Sequence, residues 1–408
     1  MKRVLFVIVI VGLAVGIFLD YGGRQRPIET VSESVSSEIQ PREVRPRAVQ
    51  PRSEPALIPV TLQVLAGVYN KSLLGRKLKV PVGWSISVFA SGLGKARMLA
   101  RDDQGTIYVT GMDKGLVYAL ADQDEDGVAD RNVVFKKGLR KPSGIFWHQG
   151  WLYIAEENRV IRVGPPDYKP QVIVRSLPAG GNHVTRTLAV LGGKLYVSVG
   201  SSCNVCKDNP RRAAVLEYNL DGSGERVYAR GLRNAVGLIA GQDGKLWATD
   251  NGRDWLGDDL PPEEVNVVEE GKDYGWPYCY GDRVPDPEFG SPERCNTTEP
   301  PTVSFQAHSA PLGLRFLGDS WLGPYRGDLI VASHGSWNRN VPTGYKLIRM
   351  KQENGQWLVS DFVTGWRREG EEAWGRPVDV LEGKNGELFI SDDLAGVVYL
   401  LRPPAGQS

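Results

Sequence analysis

The sequence predicts an all-β fold, a six-bladed β-propeller over residues 78–403, and three observations predict it. One short phrase occurs six times, each copy sits in the same four-strand order, and one strand is displaced from the end of the chain to its start. The phrase is a glycine turn followed by an apolar, β-rich run. It reads GTIYV from Gly105, GWLYI from Gly150, GKLYV from Gly193, GKLWA from Gly244, GDLIV from Gly327 and GELFI from Gly386. Successive copies stand 45, 43, 51, 83 and 59 residues apart, the interval of a blade-type repeat. The two long gaps read as insertions, the larger being the Asp-, Pro- and Cys-rich stretch 254–301.

Around each phrase an inner strand comes first (SGIFW, VGLIA, LGLRF, PVDVL). A third strand follows (LVYAL, RVIRV, VLEYN, KLIRM, VVYLL), and then an outer strand that commonly ends in GL. The segment ISVFASGL, residues 86–93, has the outer-strand form but precedes the first inner strand, while the last unit stops at VVYLLRPP without one. The N-terminal piece therefore completes the last blade and closes the ring, which leaves no open sheet edge along the seam.

Ahead of the propeller, residues 1–20 carry two basic residues and then the uncharged run Val4 to Leu19, the form of a secretory leader. A run of 16 residues is short for a spanning helix, and no clear small-x-small cleavage site follows it, so an uncleaved membrane anchor and a signal peptide both stay open. Residues 21–77 are expected to be a disordered Pro/Arg/Ser-rich tether with a short lead-in. The form predicts a periplasmic or other extracytoplasmic location. Four cysteines suit that compartment: Cys203 with Cys206, and Cys279 with Cys295, are spaced for two local bridges, with a four-thiolate zinc site as the alternative. The 49 basic and 48 acidic residues balance, which argues against a nucleic-acid partner.

Strand alternation sorts the loops. Outer-to-inner and second-to-third connections share one end of the ring, and the other connections share the opposite end. His183, Arg233, Asn234, His308 and Arg376 fall in outer-to-inner connections; the SSCNVC loop, TDNGRDWLGDD and the segment bearing His334 and Arg339 fall in second-to-third connections. An arginine in a propeller loop ordinarily bridges blades. Three of the four histidines and several arginines from different blades converging on one mouth point instead to a site. At the opposite end, DQDEDGVAD offers Asp122, Asp124, Asp126 and Asp130 around Gly127, alternating oxygen ligands as calcium needs; Val133 stands where an EF-hand has its bidentate glutamate. A solvated acidic turn is the plainer reading.

The motifs GGNHVTRTLAV, GLRNAVGLIAGQDGKLWATDNG, AHSAPLGLRF, SHGSWNRNVPTGYKLIRM and WGRPVDVLEGKNGELFISDD resemble those of the soluble glucose and sorbosone dehydrogenase family, PQQ-dependent six-bladed propellers. They are closer to its sorbosone dehydrogenase-like branch. The resemblance implies PQQ over the channel mouth, a sugar or polyol substrate above it, calcium beside it and an external electron acceptor. His183 matches the base that removes the hydroxyl proton, and Arg233 matches the group that stabilises charge on the quinone oxygen. Asn234 matches a cofactor contact and Arg376 a partner of a cofactor carboxylate, with Arg339 and His308 as further contacts. The backbone carbonyls of Gly252 and Arg253 match calcium positions, and Asp259 a nearby carboxylate. The chain departs from the glucose enzymes at Asn182, Val236 and Trp374, and has no lysine at one cofactor position, where Arg339 or His334 stands in. Two other classes stay open: a calcium-dependent lactonase on the same architecture, and a non-catalytic carbohydrate- or partner-binding propeller.

Overall fold

The computed structural model describes residues 56–404 apart from 66, 67, 69 and 319–323. The expected leader, and the tether up to residue 55, lie outside the described residues. Six antiparallel sheets surround a central channel as blades. Blade 1 comprises Ala96–Arg101, Ile107–Gly111, Leu116–Ala121 and Arg131–Lys137, and blade 2 Ile145–His148, Trp151–Ala155, Val160–Val163 and Gln171–Val174. Blade 3 is Arg186–Leu191, Lys194–Val199, Ala214–Asn219 and Arg226–Arg230; blade 4 is Leu238–Ala240, Leu246–Asp250, Glu263–Val268 and Val303–Phe305. Blade 5 holds Pro311–Phe316, Leu329–Ser333, Lys346–Glu353 and Gln356–Thr364, and blade 6 Pro377–Glu382, Leu388–Asp392 and Val397–Arg402. Ser85–Ser91 supplies the outer strand of blade 6, with Ser91 opposite Val397 and Ser85 opposite Arg402. The displaced strand thus closes the ring as the sequence predicts.

Two expectations need correction. Residues assigned to the tether and lead-in form a strand: Leu57–Thr61 pairs with Lys77–Pro81 at the start of the propeller, which extends blade 5 along Gln356–Thr364. In the second of these strands Leu78 and Val80 are buried while Lys77 and Lys79 are exposed, the alternation of an edge strand with one face on a core. The polar composition that suggests a tether belongs to the residues before it. In blade 4 the third strand, Glu263–Val268, lies inside the stretch expected to be insertion, and the real insertion is 269–302. Its two glutamates disguise it, because both are buried where a strand normally shows apolar residues.

Six hydrophobic clusters each fill the wedge between neighbouring blades. Each sheet is therefore covered on both faces, and the second strands show it: every residue of Ile107–Gly111, Leu246–Asp250, Leu329–Ser333 and Leu388–Asp392 is buried. Burial on both faces replaces polar–apolar alternation with continuous apolar runs, which is why the repeated phrase is legible at all. The inner strands of all six blades line an axial cavity of about 390 Å³. Loops on either side of it are held at fixed angular positions.

The closing strand carries Phe89, 2% exposed, whose ring meets Phe389 edge-on at 4.8 Å between centroids. Phe89→Ala is expected to cost about 3–5 kcal/mol in urea unfolding, the range for a buried Phe deletion. A loss below about 1 kcal/mol would mean that the seam contributes little to the ring.

Candidate functional site

His183 sits in the loop between the outer strand of blade 2 and the inner strand of blade 3. The chain reaches it through Gly180 and Gly181, with φ of 76° and 78°, and a Cβ on Gly181 would lie 2.6 Å from the Ser202 Cα. Only glycine suits that left-handed, crowded turn. Nδ1 of His183 stands 2.9 Å from both the carbonyl and the Oγ of Ser201. The Ser201 hydroxyl donates to the Cys203 carbonyl at 2.7 Å, and a carbonyl can only accept. Nδ1 therefore carries the proton, and Nε2 presents a lone pair. The residue lines a cavity of about 220 Å³ at the mouth, together with Asn234, Glu263, His308 and Trp337. Burial, and then the charge of Arg233, push the imidazole down to about 3, against the hydrogen bond to Ser201; Arg186 and Arg212 add to the depression. The ring is neutral throughout the physiological range.

Arg233 is 5% exposed, yet every one of its donors is used. Nε donates to the Asn204 carbonyl at 2.9 Å, Nη1 to the carbonyls of Asn251 at 3.1 Å and Gly252 at 2.7 Å, and Nη2 to Asn204 Oδ1 at 2.9 Å and Asp254 Oδ2 at 3.4 Å. Both oxygens of Asp250 accept backbone N–H groups from Arg233 and Asn234, at 2.8 and 2.6 Å. Burial pushes the Asp250 carboxyl up to about 7. Glu263 accepts from the backbone of Gly252 at 2.9 Å and Ala310 at 3.1 Å, and burial lifts it to about 8.

The other expected residues divide. Arg376 donates from Nε to the His334 carbonyl at 3.1 Å and from Nη2 to the Gly335 carbonyl at 2.7 Å. His334 in turn bonds Asp393 at 2.8 Å, and Arg97 reaches the other Asp393 oxygen at 2.9 Å. His308 uses Nε2 on the Gly257 carbonyl at 2.8 Å, and Arg339 pairs with Asp259 at 3.0 Å as well as with the Asp258 carbonyl. The Gly252 carbonyl is held by Arg233. The Arg253 side chain is directed to Asp286 at 2.7 Å and Glu288 at 2.6 Å, both supplied by the insertion. That insertion climbs the outer strand of blade 3, with Lys272 and Tyr274 bonded to Arg230, and delivers Trp276 Nε1 to the Asn204 carbonyl at 3.2 Å.

Both cysteine pairs are disulfides, Cys203–Cys206 and Cys279–Cys295, which removes the zinc alternative. On the opposite end, ligand atoms of Asp122, Asp124 and Asp126 lie within 4.8 Å of one another around Gly127 at φ 90°. Burial and repulsion from Asp126 and Asp124 raise the Asp122 carboxyl, against the hydrogen bond from Gly127. Asp130 accepts from the Gln123 backbone at 2.8 Å and closes the turn.

Sequence reasoning placed the SSCNVC loop at the mouth but assigned none of its residues. Asn204, Ser201, Asp254 and Glu263 all contact the site. Trp255 and Trp337 project from its rim, 66% and 67% exposed and 5.2 Å apart edge-to-face, with Trp255 held at φ 73°. The signal available in sequence is that each tryptophan stands inside a mouth segment, Trp255 in TDNGRDWLGDD and Trp337 in SHGSWNRN.

Imidazole 15N spectra at pH 7 are expected to show His183 neutral with its proton on Nδ1, and no titration down to pH 5; a midpoint near 6.5 contradicts this. The sign for stability follows. A histidine depressed in the folded state takes up its proton first in the unfolded chain, so this contribution to stability is lost as pH falls from about 6.5 toward 3.

Comparison with known proteins places the fold and the family. A family model described as TrAA12-like matches residues 78–404. An uncharacterized protein of Borreliella burgdorferi is 30% identical over 79% of this chain and 90% of its own length. A pyrroloquinoline quinone-dependent pyranose dehydrogenase of Coprinopsis cinerea is 24% identical over 81% of this chain, which spans 55% of that protein. The holo PQQ domain of the Coprinopsis cinerea pyranose dehydrogenase superposes with a TM-score of 0.69 at 22% identity, covering 83% of this chain and all (100%) of that one. The calcium structure of the Trichoderma reesei family AA12 enzyme does so with 0.69 at 22%, covering 81% and 96%. The propeller of this chain belongs to the TrAA12-like family.

Proposed function

We propose that the protein is an extracytoplasmic PQQ-dependent oxidoreductase that oxidises an alcohol or hemiacetal carbon of a sugar or polyol and passes the electrons to an external acceptor. One observation carries the reading: a neutral imidazole, His183, whose Nε2 lone pair is left available at the mouth cavity. The ring is neutral at pH 7 and Nε2 has a lone pair for a hydroxyl proton, but its basicity is depressed to about 3, so the transfer has to be coupled to loss of hydride from the carbon that bears the hydroxyl.

The residues of the mouth suit a flat, anionic quinone. Arg233, Arg186 and Arg212 lay a positive field on His183. Arg376 commits Nε and one Nη to carbonyls, and its Nη1 makes no other hydrogen bond among the described residues, which leaves donors for a carboxylate. The oxygen donors near Arg233 suit a hard cation: the Gly252 carbonyl, and the carboxylate of Asp254 lining the same cavity. When bound, the quinone supplies the hydride acceptor and calcium a Lewis acid beside it. The chain's own work is then specific. His183 Nε2 takes the hydroxyl proton, Arg233 holds positive charge where negative charge develops, and Arg376 orients an anionic edge. Trp255 and Trp337 offer apolar faces to a sugar ring at the rim. A lactonase reading is disfavoured, because both Glu263 oxygens already hold backbone N–H groups.

The acidic turn at the far end supports a second, structural calcium on Asp122, Asp124 and Asp126 with Asp130 bracing the turn. Calcium at a hundred times its Kd is then expected to stabilise the wild-type protein by about 2.7 kcal/mol. Asp124→Ala removes that site's share and leaves any stabilisation from calcium at the mouth; an identical calcium response in the variant removes the assignment.

For the mouth, the test is reconstitution with PQQ and calcium, followed by dye reduction with aldoses, sorbosone and simple alcohols. His183→Ala is expected to keep quinone uptake and lose turnover by about 10²–10⁴-fold, the usual weight of general-base catalysis. Absence of quinone uptake by the wild-type protein rejects the reading, and equal loss of uptake and turnover in the variant makes His183 a binding residue.

A further inference from the structure

Base and guanidinium are positioned by one short loop, which joins the second and third strands of blade 3. On one side the loop holds His183, through the Ser201 carbonyl and a hydroxyl anchored on the Cys203 carbonyl. On the other it holds Arg233, and that hold is concentrated in Asn204. The Asn204 carbonyl accepts from Arg233 Nε at 2.9 Å and from Trp276 Nε1 at 3.2 Å. Its Oδ1 accepts from Arg233 Nη2 at 2.9 Å and the Asp254 backbone at 2.8 Å, while its Nδ2 donates to the Asp254 carbonyl at 3.2 Å. Two donors converge on Oδ1 and a carbonyl faces Nδ2, so only one orientation of the amide satisfies all three contacts.

Asn204 also lies inside the ring closed by the Cys203–Cys206 disulfide. The cross-link restrains the backbone around Asn204, and the carbonyl that anchors Ser201 belongs to Cys203, the residue just before it. Both site residues are thus referred to the same few atoms, although they come from connections flanking different strands. No other residue whose contacts are described here bonds both the Arg233 guanidinium and the Asp254 backbone on both its donor and acceptor sides.

We propose that Asn204 is a positioning residue for the reaction at the mouth: its side-chain amide fixes the Arg233 guanidinium, and with it the spacing between that charge and the His183 base. Asn204 is not among the residues lining the mouth cavity, and acts through Arg233, which is. The inference rests on the proposed function for its kinetic consequence but not for its structural one. A misplacement of the order of 1 Å at a reacting group costs up to about a hundredfold in rate, so loss of the amide should fall on turnover rather than on substrate binding.

The experiment compares Asn204→Ala and Asn204→Asp in the full chain with wild type, by 15N-resolved exchange of the Arg233 guanidinium protons and by steady-state kinetics with PQQ, calcium and the responsive sugar. Asn204→Ala is expected to speed Arg233 exchange and lower kcat by about ten- to a hundredfold with KM changed less than about threefold. Asn204→Asp keeps an acceptor for both Arg233 and the Asp254 N–H but loses the donor to the Asp254 carbonyl and adds a negative charge, so it is expected to restore slow exchange while kcat stays below wild type. Arg233 exchange as slow in Asn204→Ala as in wild type overturns the proposal, whatever becomes of the quinone. So does a variant with lower thermal stability but unchanged kcat and KM. If the wild-type protein takes up no quinone, the proposed function fails while the exchange measurement on the apo protein still decides this one.

Discussion

The mouth of this propeller depends on one buried positive charge. Removing a guanidinium from water is costly unless every N–H finds an acceptor, and Arg233 finds five among two backbone-rich loops, one amide and one carboxylate. Burial pulls its pKa down while Asp254, Asp250 and Glu263 pull it up. The same charge lowers His183 and draws together loops from blades 3 and 4. Electrostatics, loop geometry and the protonation state of the base are therefore one coupled arrangement rather than three features.

That arrangement needs a frame that does not breathe, and ring closure provides it. Wedges of apolar side chains between blades fix their angles, and Ser85–Ser91 locks the last blade to the first residues of the propeller. Alternating strand direction then separates two chemistries at the two ends. Cations and imidazoles gather at the mouth, and the acidic turn of blade 1 faces the other way. The insertion 269–302 breaks the simple rule by climbing from one end to the other, where it pairs with Arg253 and caps Asn204.

The ring, its seam and the mouth positions of His183, Arg233 and Arg376 were legible in sequence because each follows from strand counting and direction. The third strand of blade 4 was not, because Glu263 and Glu264 sit buried where the pattern looks for apolar side chains. The strand Leu57–Thr61 was hidden by its neighbours, since its five residues follow a polar, proline-rich tract and include a proline of their own. Asn204 had no signal: a lone asparagine in a loop acquires meaning only when donors from other loops meet it. The outward turn of the Arg253 side chain was equally beyond reach, because its partners arrive from an insertion with no repeat to index it.

Transfer of the hydroxyl proton to His183 as hydride leaves the carbon that bears that hydroxyl is the centre of this account. Stopped-flow reduction of the quinone-loaded protein by a sugar deuterated at the oxidised carbon, followed from pH 5 to 8, tests it most directly. The account predicts a primary isotope effect and a rate that does not fall with a midpoint near 6.5, since the base is already neutral across that range. Reduction without an isotope effect, or a rate that drops as an ordinary histidine protonates, would contradict it.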